Sequence, residues 1–135
     1  YPTRIVIGPR DLENGTVEIA RRDTKTKETL SSENIVETIQ TLLVDIENGM
    51  LNKALEFRSN NTTVVSNYEE FKSVLESKGG FLVANWDGTE ETEAKIKEET
   101  GATIRCIPLD DNKATGPCIY TGKEAKYKVI FARAY

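Results

Sequence analysis

The 135-residue sequence contains no histidine, only two cysteines and no long apolar run. Without histidine, the chain cannot form a Ser–His–Asp or Cys–His nucleophile system, nor a zinc site of the His-Glu-x-x-His type. A helix that spans a bilayer needs roughly 20 consecutive apolar residues, and no stretch of the sequence approaches that length. These absences exclude the histidine-dependent hydrolases and argue against a membrane-spanning helix.

An excess of positive charge is also lacking. The chain has 18 Lys and Arg against 22 Asp and Glu, a formal net charge of −4. Proteins that bind polyanions without sequence preference usually present a net basic surface, so this balance argues against such a function. It is still compatible with recognition of RNA by a few well-placed arginines. Apolar residues make up 38% of the chain, enough for a modest core in one domain or two small ones.

The two cysteines, Cys106 and Cys118, could form one disulfide at most. No signal-peptide pattern precedes the first strand-like run, so we expect reduced thiols in a cytoplasmic protein. A structural zinc site uses about four Cys or His ligands, and two cysteines leave it incomplete even if a carboxylate such as Asp87 contributes. The sequence also begins without methionine, and we expect it to be a piece of a longer protein.

The first half of the chain predicts a hairpin followed by a long helix. Residues 4–8 and 16–21 have the β-branched and alternating patterns of strands, and their connection predicts an exposed loop. Residues 23–32 are polar and predict a linker. Apolar residues then recur every three or four positions, which predicts a helix from residue 33 to residue 57 or 58 with one apolar face.

The second half alternates helices and strands, which predicts a mixed α/β (α+β) fold. The predicted helices are residues 68–77 and 90–100, the predicted strands are residues 81–86 and 102–108, and residues 118–121 are predicted to pair with residues 127–134 in a late hairpin. The boundary between the two parts of the chain is predicted near residue 64.

Two short groups of charged residues are candidates for nucleic-acid contacts. Arg10 and Asp11 lie in the predicted loop, and Arg21, Arg22 and Asp23 follow the second predicted strand. A guanidinium can bind the edge of guanine through two hydrogen bonds, and Asp can accept from a base amino group. The alternative is a set of surface ion pairs, each worth under about 1 kcal/mol.

Six ordered motifs resemble the C-terminal part of prolyl-tRNA synthetases, of the type shared by archaea, eukaryotes and some bacteria. They are VIGPRD at residues 6–11, VEIARRDT at 17–24, NGMLNKAL at 48–55, WDGT at 86–89, IRCIP at 104–108 and FARAY at 131–135. The motifs extend over essentially the whole chain, and their shared order and spacing are far more specific than any one of them.

The resemblance implies a parent enzyme of class II that activates proline with ATP and attaches it to tRNA(Pro). Residues 1–64 would hold the last strands and helix of the anticodon-binding domain, a mixed sheet with helices, and residues 65–135 the small α/β C-terminal domain. The catalytic domain, with its ATP and magnesium, and the first half of the anticodon domain would lie outside this chain. The fragment alone would then catalyse nothing, and the full-length enzyme would be a cytoplasmic homodimer of protein biosynthesis.

The resemblance also implies roles for the charged groups. The anticodon domain of this family recognises the two guanines shared by all proline anticodons, and its motifs fall on Arg10, Asp11, Arg21, Arg22 and Asp23. Arg10 is the first choice for a base or phosphate contact, and Asp11 is the next. Arg21 or Arg22 would alternatively hold the loop in place, and the sequence does not separate these roles.

Two further family features concern the C-terminal domain. Many relatives carry a zinc site of four cysteines, whose positions fall near Asp87 and Thr92 and on Cys118 and Tyr120, so only one ligand is kept. We therefore expect a metal-free domain. The family's terminal tyrosine and its carboxylate, here Tyr135, reach back towards the catalytic domain and would give structural or active-site support.

Two other functions stay open at this point. One is a freestanding RNA-binding or regulatory module that has the same architecture but does not charge tRNA. The other is a structural domain that binds proteins through the long predicted helix.

Overall fold

A computed structural model describes residues 1–134 of the chain. The chain divides into two compact units, Tyr1–Glu56, called unit 1 here, and Phe57–Tyr135, called unit 2. Within the described residues, unit 1 has a three-stranded sheet and unit 2 a four-stranded sheet. Helices accompany both sheets, and the predicted mixed α/β class is confirmed.

Unit 1 is an antiparallel sheet with one short and one long helix. Its elements are β1 (Thr3–Val6), α1 (Pro9–Asn14), β2 (Thr16–Arg21), β3 (Lys27–Ser31) and most of α2 (Ile35–Asn60). Strand β2 lies in the centre and pairs with both neighbours. Its buried side chains, Val17 and Ile19, alternate with half-buried ones, as expected for a sheet covered on one face.

The connection between β1 and β2 is helical, so the prediction of an open loop is wrong. Pro9 occupies the first helical position, where its fixed φ favours a helix and its missing N–H costs nothing. The Asp11 carboxylate accepts a hydrogen bond from the backbone N–H of Gly8 at 2.8 Å. Gly15, with φ of 63°, ends the helix in the left-handed conformation.

The polar segment at residues 23–32 contains β3, which the sequence did not predict. This strand lies at the sheet edge, and all its residues except Leu30 are exposed, so it lacks the apolar alternation that identifies a strand. Its hydrogen bonds to β2, rather than burial, define it.

Helix α2 is confirmed, but its predicted inward face is mostly exposed. Ile46 is its one buried residue, whereas Met50 and Leu51 keep 60% and 56% of their surface exposed. A 26-residue helix is about 39 Å long, and a six-residue strand such as β2 spans only about 20 Å. The sheet of unit 1 is therefore too short to cover the apolar face of α2.

Unit 2 has helices packed on one face of its sheet. Its remaining elements are β4 (Thr62–Val64), α3 (Tyr68–Ser77), β5 (Phe81–Trp86), α4 (Glu90–Thr100), β6 (Ala102–Cys106) and β7 (Tyr127–Arg133). Strand β4 runs parallel to β5, and the other pairs are antiparallel. The core joins Phe71, Leu75 and Ile96 of the helices to side chains of the strands. Helices α3 and α4 and strand β5 have the predicted bounds.

The predicted late hairpin is wrong. Residues 118–121 form a turn, closed by hydrogen bonds from the Cys118 N–H to the Lys123 carbonyl (2.8 Å) and from the Gly122 N–H to the Cys118 carbonyl (2.9 Å). Strand β7 pairs with β5 on one side and β6 on the other, so neither of its edges is free for residues 118–121.

Residues 57–64 belong to unit 2 by their contacts, because they include β4, which pairs with β5. Strand β6 ends at Cys106, before the sequence reaches Pro108, which has no N–H to donate to a partner strand. None of the helices within residues 1–134 is long and apolar enough to cross a membrane.

Candidate nucleic-acid interface

Arg10 stands exposed on the first turn of α1. Pro9 and the hydrogen bond from the Gly8 N–H to the Asp11 carboxylate stabilise this turn, so the backbone on both sides of Arg10 is fixed. Within residues 1–134 its guanidinium forms no ion pair. The structure therefore presents the hydrogen-bonding fork of Arg10 to solvent.

Asp11, its neighbour in sequence, has a different environment. One carboxylate oxygen accepts from the N–H of Gly8 at 2.8 Å, and the other accepts from the hydroxyl of Thr16 at 3.3 Å. Both contacts join the start of α1 to its surroundings. The side chain thus caps the helix and fixes the entry to β2.

Arg21 is held by two carboxylates. Its guanidinium donates to both oxygens of Asp23, at 3.1 and 2.7 Å, and to Asp45 of α2 at 2.9 Å. The hydrogen bonds to Asp23 and Asp45 raise the pKa of Arg21, and the same guanidinium lowers the pKa of Asp23. The geometry favours Arg21 as the residue that holds the strand end in place.

Arg22 is free to make an outside contact. Its backbone N–H donates to the Pro2 carbonyl at 3.0 Å, while its side chain is exposed and forms no ion pair within residues 1–134. Arg4 lies opposite Ala20 in the register of β1 and β2. Arg22 lies in the turn that follows β2, so Arg4 and Arg22 both belong to the end of the sheet that carries Arg21.

The structure separates the two candidate groups. Thr3 pairs with Arg21 and Val6 pairs with Glu18, so residues 21–23 lie at the end of the sheet opposite α1. The length of β2 puts the Arg10 end and the Arg21 end about 17 Å apart along the strand. They form two separate clusters and not one site.

Sequence reasoning missed two members of these clusters. Asp45 follows Arg21 by 24 residues, and no local pattern links them. The position of Arg4 opposite Ala20 depends on strand register, which alternation alone does not fix.

In unit 2, a hydrogen-bond network surrounds Asp87 and includes Thr92. The resemblance put the first pair of expected zinc positions near these two residues, whereas the hydroxyl of Tyr120 donates to Glu99 at 2.8 Å. The hydroxyl of Thr92 donates to Asp87 at 2.7 Å, that of Thr121 at 3.5 Å, and the hydroxyl and N–H of Thr89 at 2.9 and 3.1 Å. Burial disfavours the ionised form of Asp87, but these hydrogen bonds outweigh it and lower the pKa of the carboxyl group. Cys118 is buried.

No group of three or more Cys, Asp or Glu side chains within residues 1–134 is arranged to hold a metal ion. The expectation of a metal-free domain stays a prediction. Tyr135, with the expected role for its carboxylate, lies outside the described residues.

Comparison with known protein families and sequences covers both units. A family model described as the C-terminal domain of prolyl-tRNA synthetase matches residues 68–135, and a model of an anticodon-binding domain matches residues 1–42. Similar curated proteins are the proline–tRNA ligases of Flavobacterium psychrophilum (57% identical), Porphyromonas gingivalis (55%) and Flavobacterium johnsoniae (53%).

Each of these alignments covers 99% of this chain and 27% of the relative, so the chain spans about a quarter of the length of the ligases it matches. With one family model over half of its residues, the chain belongs to the prolyl-tRNA synthetase family and matches that family's C-terminal domain.

Proposed function

We propose that this chain is the C-terminal part of a proline–tRNA ligase and that unit 1 takes part in reading the tRNA anticodon. The observation that carries this proposal is similarity to proline–tRNA ligases over 99% of the chain. The anticodon-binding model covers residues 1–42, which include all five charged residues singled out in the sequence. The parent enzyme would activate proline with ATP and attach it to tRNA(Pro), a step of protein biosynthesis.

The charged side chains of unit 1 have different roles in this proposal. Arg10 is exposed and unpaired within the described residues, so its fork can meet the N7 and O6 atoms of an anticodon guanine. Arg21 and Asp23 form an ion pair that supports the strand end. Arg22 and Arg4, both exposed near the same end of the sheet, are placed to meet phosphates. Asp11 acts by holding the turn on which Arg10 stands.

The remaining functions of the ligase belong to the proposal as well. ATP and magnesium bind the catalytic part of the enzyme, and this chain holds no cofactor of its own. The complete enzyme acts in the cytoplasm as a homodimer, and the terminal carboxylate at Tyr135 supports the catalytic domain.

The test uses the complete ligase and the variant Arg10→Ala. We expect the variant to lose about 1–3 kcal/mol of discrimination between tRNA(Pro) and a transcript with its anticodon guanines replaced, the cost of one bidentate base contact. The measurement is kcat/KM for charging of each transcript. Lys53→Ala, an exposed charge on α2, is the matched control and should match wild type. Unchanged discrimination by Arg10→Ala would contradict the assignment of this residue.

A second measurement separates the ligase from a freestanding RNA-binding module. An immunoblot of source cells with antibodies against this segment should show a band several times larger than the 135-residue chain. A band at the size of this chain alone would support the freestanding module instead.

A further inference from the structure

The sheet of unit 2 has one covered and one open face. Leu82 and Ala84 of β5 and Val129 of β7 are buried in the core. Because side chains alternate along a strand, the residues next to them in sequence point to the other face. There Phe81 keeps 39% of its surface exposed, and Ile130 is half-buried. This second face therefore presents an aromatic ring and an aliphatic side chain on a rigid sheet.

A groove of about 520 Å³ lies on this face, and all its residues belong to unit 2. Its lining, called here the Arg58–Arg105 groove, comprises Arg58, Ser59, Thr62, Phe81, Arg105, Cys106 and Ile130. The lining thus includes two arginines and two hydroxyl-bearing residues beside an aromatic and an aliphatic residue, and among residues 1–134 no Asp or Glu lines the groove. Such a lining is unexpected in a chain with a net charge of −4.

A β-bulge brings Arg105 into the groove. In the pairing of β6 with β7, Ile104 lies opposite Phe131 and Cys106 opposite Ile130, so Arg105 is the extra residue. Regular alternation would send residues 105 and 106 to opposite faces, whereas both line the groove. Bulges redirect side chains in this way and are frequent next to functional sites.

Both arginines of the groove lack a carboxylate partner within residues 1–134. Elsewhere within residues 1–134, Arg21 is paired with Asp23 and Asp45, and Arg133 is paired with Glu76 at 2.6 Å, whereas the arginines of unit 1 near the sheet ends, Arg4, Arg10 and Arg22, form no ion pair. Arg58 and Arg105 form no such pair and are exposed. Two arginines without ion-pair partners in one groove can bind an anion, because a guanidinium can donate two parallel hydrogen bonds to the oxygens of a phosphate.

We propose that the Arg58–Arg105 groove binds the sugar–phosphate backbone of single-stranded RNA, with one base stacked on Phe81. The arginines supply charge complementarity to phosphate, and an exposed aromatic ring on an open sheet face is a common platform for an unpaired base. The groove volume lies in the range of pockets that hold small ligands, so it has room for a nucleotide. The inference rests on the proposed function, since it gives tRNA a second contact that is independent of the anticodon sequence.

Cys106 provides a direct reporter of occupancy. It is exposed in the groove, whereas Cys118 keeps only 2% of its surface exposed, so a thiol reagent should react first with Cys106. We expect an eight-nucleotide oligouridylate to slow this reaction in the whole 135-residue chain. Inorganic phosphate and an octaglutamate peptide at equal charge concentration should slow it much less. Equal protection by either would overturn the assignment to RNA, and no protection by the oligouridylate would overturn the site.

Variants test the phosphate contacts through salt dependence. Binding of the fluorescent oligouridylate is measured at several salt concentrations for Arg58→Ala and Arg105→Ala. Affinity for a nucleic acid falls as salt rises, and each variant should make the slope of log affinity against log salt shallower by about 0.7. This is the value for one phosphate contact on a single strand. Arg105→Lys keeps the charge and should retain the slope, which controls for a folding defect. Lys97→Ala removes an exposed charge from α4 and should leave the slope unchanged. Equal slopes in all variants would overturn the proposal.

Phe81→Leu tests the stacked base. Removal of a stacking ring should weaken binding on the order of tenfold while leaving the salt slope unchanged, because no phosphate contact is lost. Wild-type affinity in this variant would overturn the role of Phe81.

A last comparison distinguishes this site from the anticodon contact. Stem–loops of tRNA(Pro) with the natural anticodon and with its two guanines replaced by cytosines are bound to the whole chain. Arg58→Ala and Arg105→Ala should weaken both to the same degree, whereas Arg10→Ala should change their ratio. If the wild-type chain binds the two stem–loops equally, only the anticodon proposal is contradicted. If the groove variants change only the ratio of the two affinities, the proposed groove site is contradicted.

Discussion

Unit 1 and unit 2 differ sharply in how many of their apolar side chains are buried. Of the 15 buried apolar residues within the described part of the chain, three lie in unit 1 and 12 in unit 2. Of the 16 large apolar residues that are exposed there, 11 lie in unit 1. Unit 2 packs two helices on its sheet and closes a core, whereas unit 1 leaves most of the apolar face of α2 exposed.

The difference shows that an apolar pattern in sequence specifies a face to be covered but not what covers it. Burial of apolar area is the main force that opposes the loss of chain entropy, so a unit with few buried side chains has little stability of its own. The ligases that this chain matches are nearly four times longer. We expect the rest of such an enzyme to cover the exposed face of α2.

The largest expected effect comes from one truncation made in each unit. Leu82→Ala in β5 should lower the free energy of unfolding by about 2–5 kcal/mol, because Leu82 is fully buried in the core of unit 2. Leu51→Ala in α2 should change it by less than about 0.5 kcal/mol, because 56% of Leu51 is exposed. Urea unfolding followed by circular dichroism gives both values. Similar losses for the two variants would break the comparison between the units.

Hydrogen exchange should show the same contrast along the backbone. Strand β7 is hydrogen-bonded on both sides beneath a closed core, whereas β1 and β3 are edge strands of a thinly packed sheet. We expect the hydrogen-bonded amides of β7 to exchange on the order of a hundredfold more slowly than those of β3. Comparable protection in the two strands would show that unit 1 is as stable as unit 2.

Helix caps allow a finer comparison. Asn67 accepts from the N–H of Glu70 at 2.9 Å at the start of α3, so Asn67→Ala should cost unit 2 about 1 kcal/mol. Trp86 is the only tryptophan and lies in unit 2, so its fluorescence follows this unfolding. Ser73→Ala, at an exposed position within the same helix, is the control and should cause no loss. An unaffected Asn67→Ala would show that the cap contributes nothing.

The smallest effect concerns pH. Burial alone would raise the pKa of Asp87, but the hydrogen bonds from Thr92 and Thr89 outweigh it and lower this pKa in the folded state. The stability that the carboxylate contributes is therefore complete above its ordinary pKa near 4. That stability is lost as the pH falls through the lowered pKa. Asp87→Asn should therefore make Trp86-monitored unfolding of unit 2 less sensitive to pH below about 4. Asp110→Asn, at an exposed site, is the control, and equal acid sensitivity in both variants would contradict the role of Asp87.

Elements that are encoded locally could be predicted from sequence. Helix α4 has Thr89 as N-cap and Gly101 as a left-handed C-cap, and the predicted bounds are those observed. Helix α3 and strand β5 could also be predicted, because their apolar patterns lie within a short stretch of sequence. The errors arose where pairing decides structure: β3 is a strand because β2 offers it an edge, and residues 118–121 form a turn because β7 has no edge left.

In the candidate sites too, local features could be predicted from sequence, whereas features that depend on tertiary contacts could not. That Arg10 is exposed could be inferred from a turn-rich sequence. The partner of Arg21, which is Asp45, and the bulge that directs Arg105 into the groove depend on tertiary contacts and strand register. Neither leaves a signal at a fixed spacing in the sequence.

Chemical footprinting of tRNA(Pro) on the complete ligase tests the central claim most directly. An arginine fork on guanine covers the N7 atom that dimethyl sulfate methylates. We predict that at least one anticodon guanine is protected from methylation in the wild-type complex and becomes reactive again in the Arg10→Ala complex at saturating enzyme. Anticodon guanines that stay reactive in the wild-type complex, or protection that Arg10→Ala leaves intact, would contradict anticodon reading by this part of the chain.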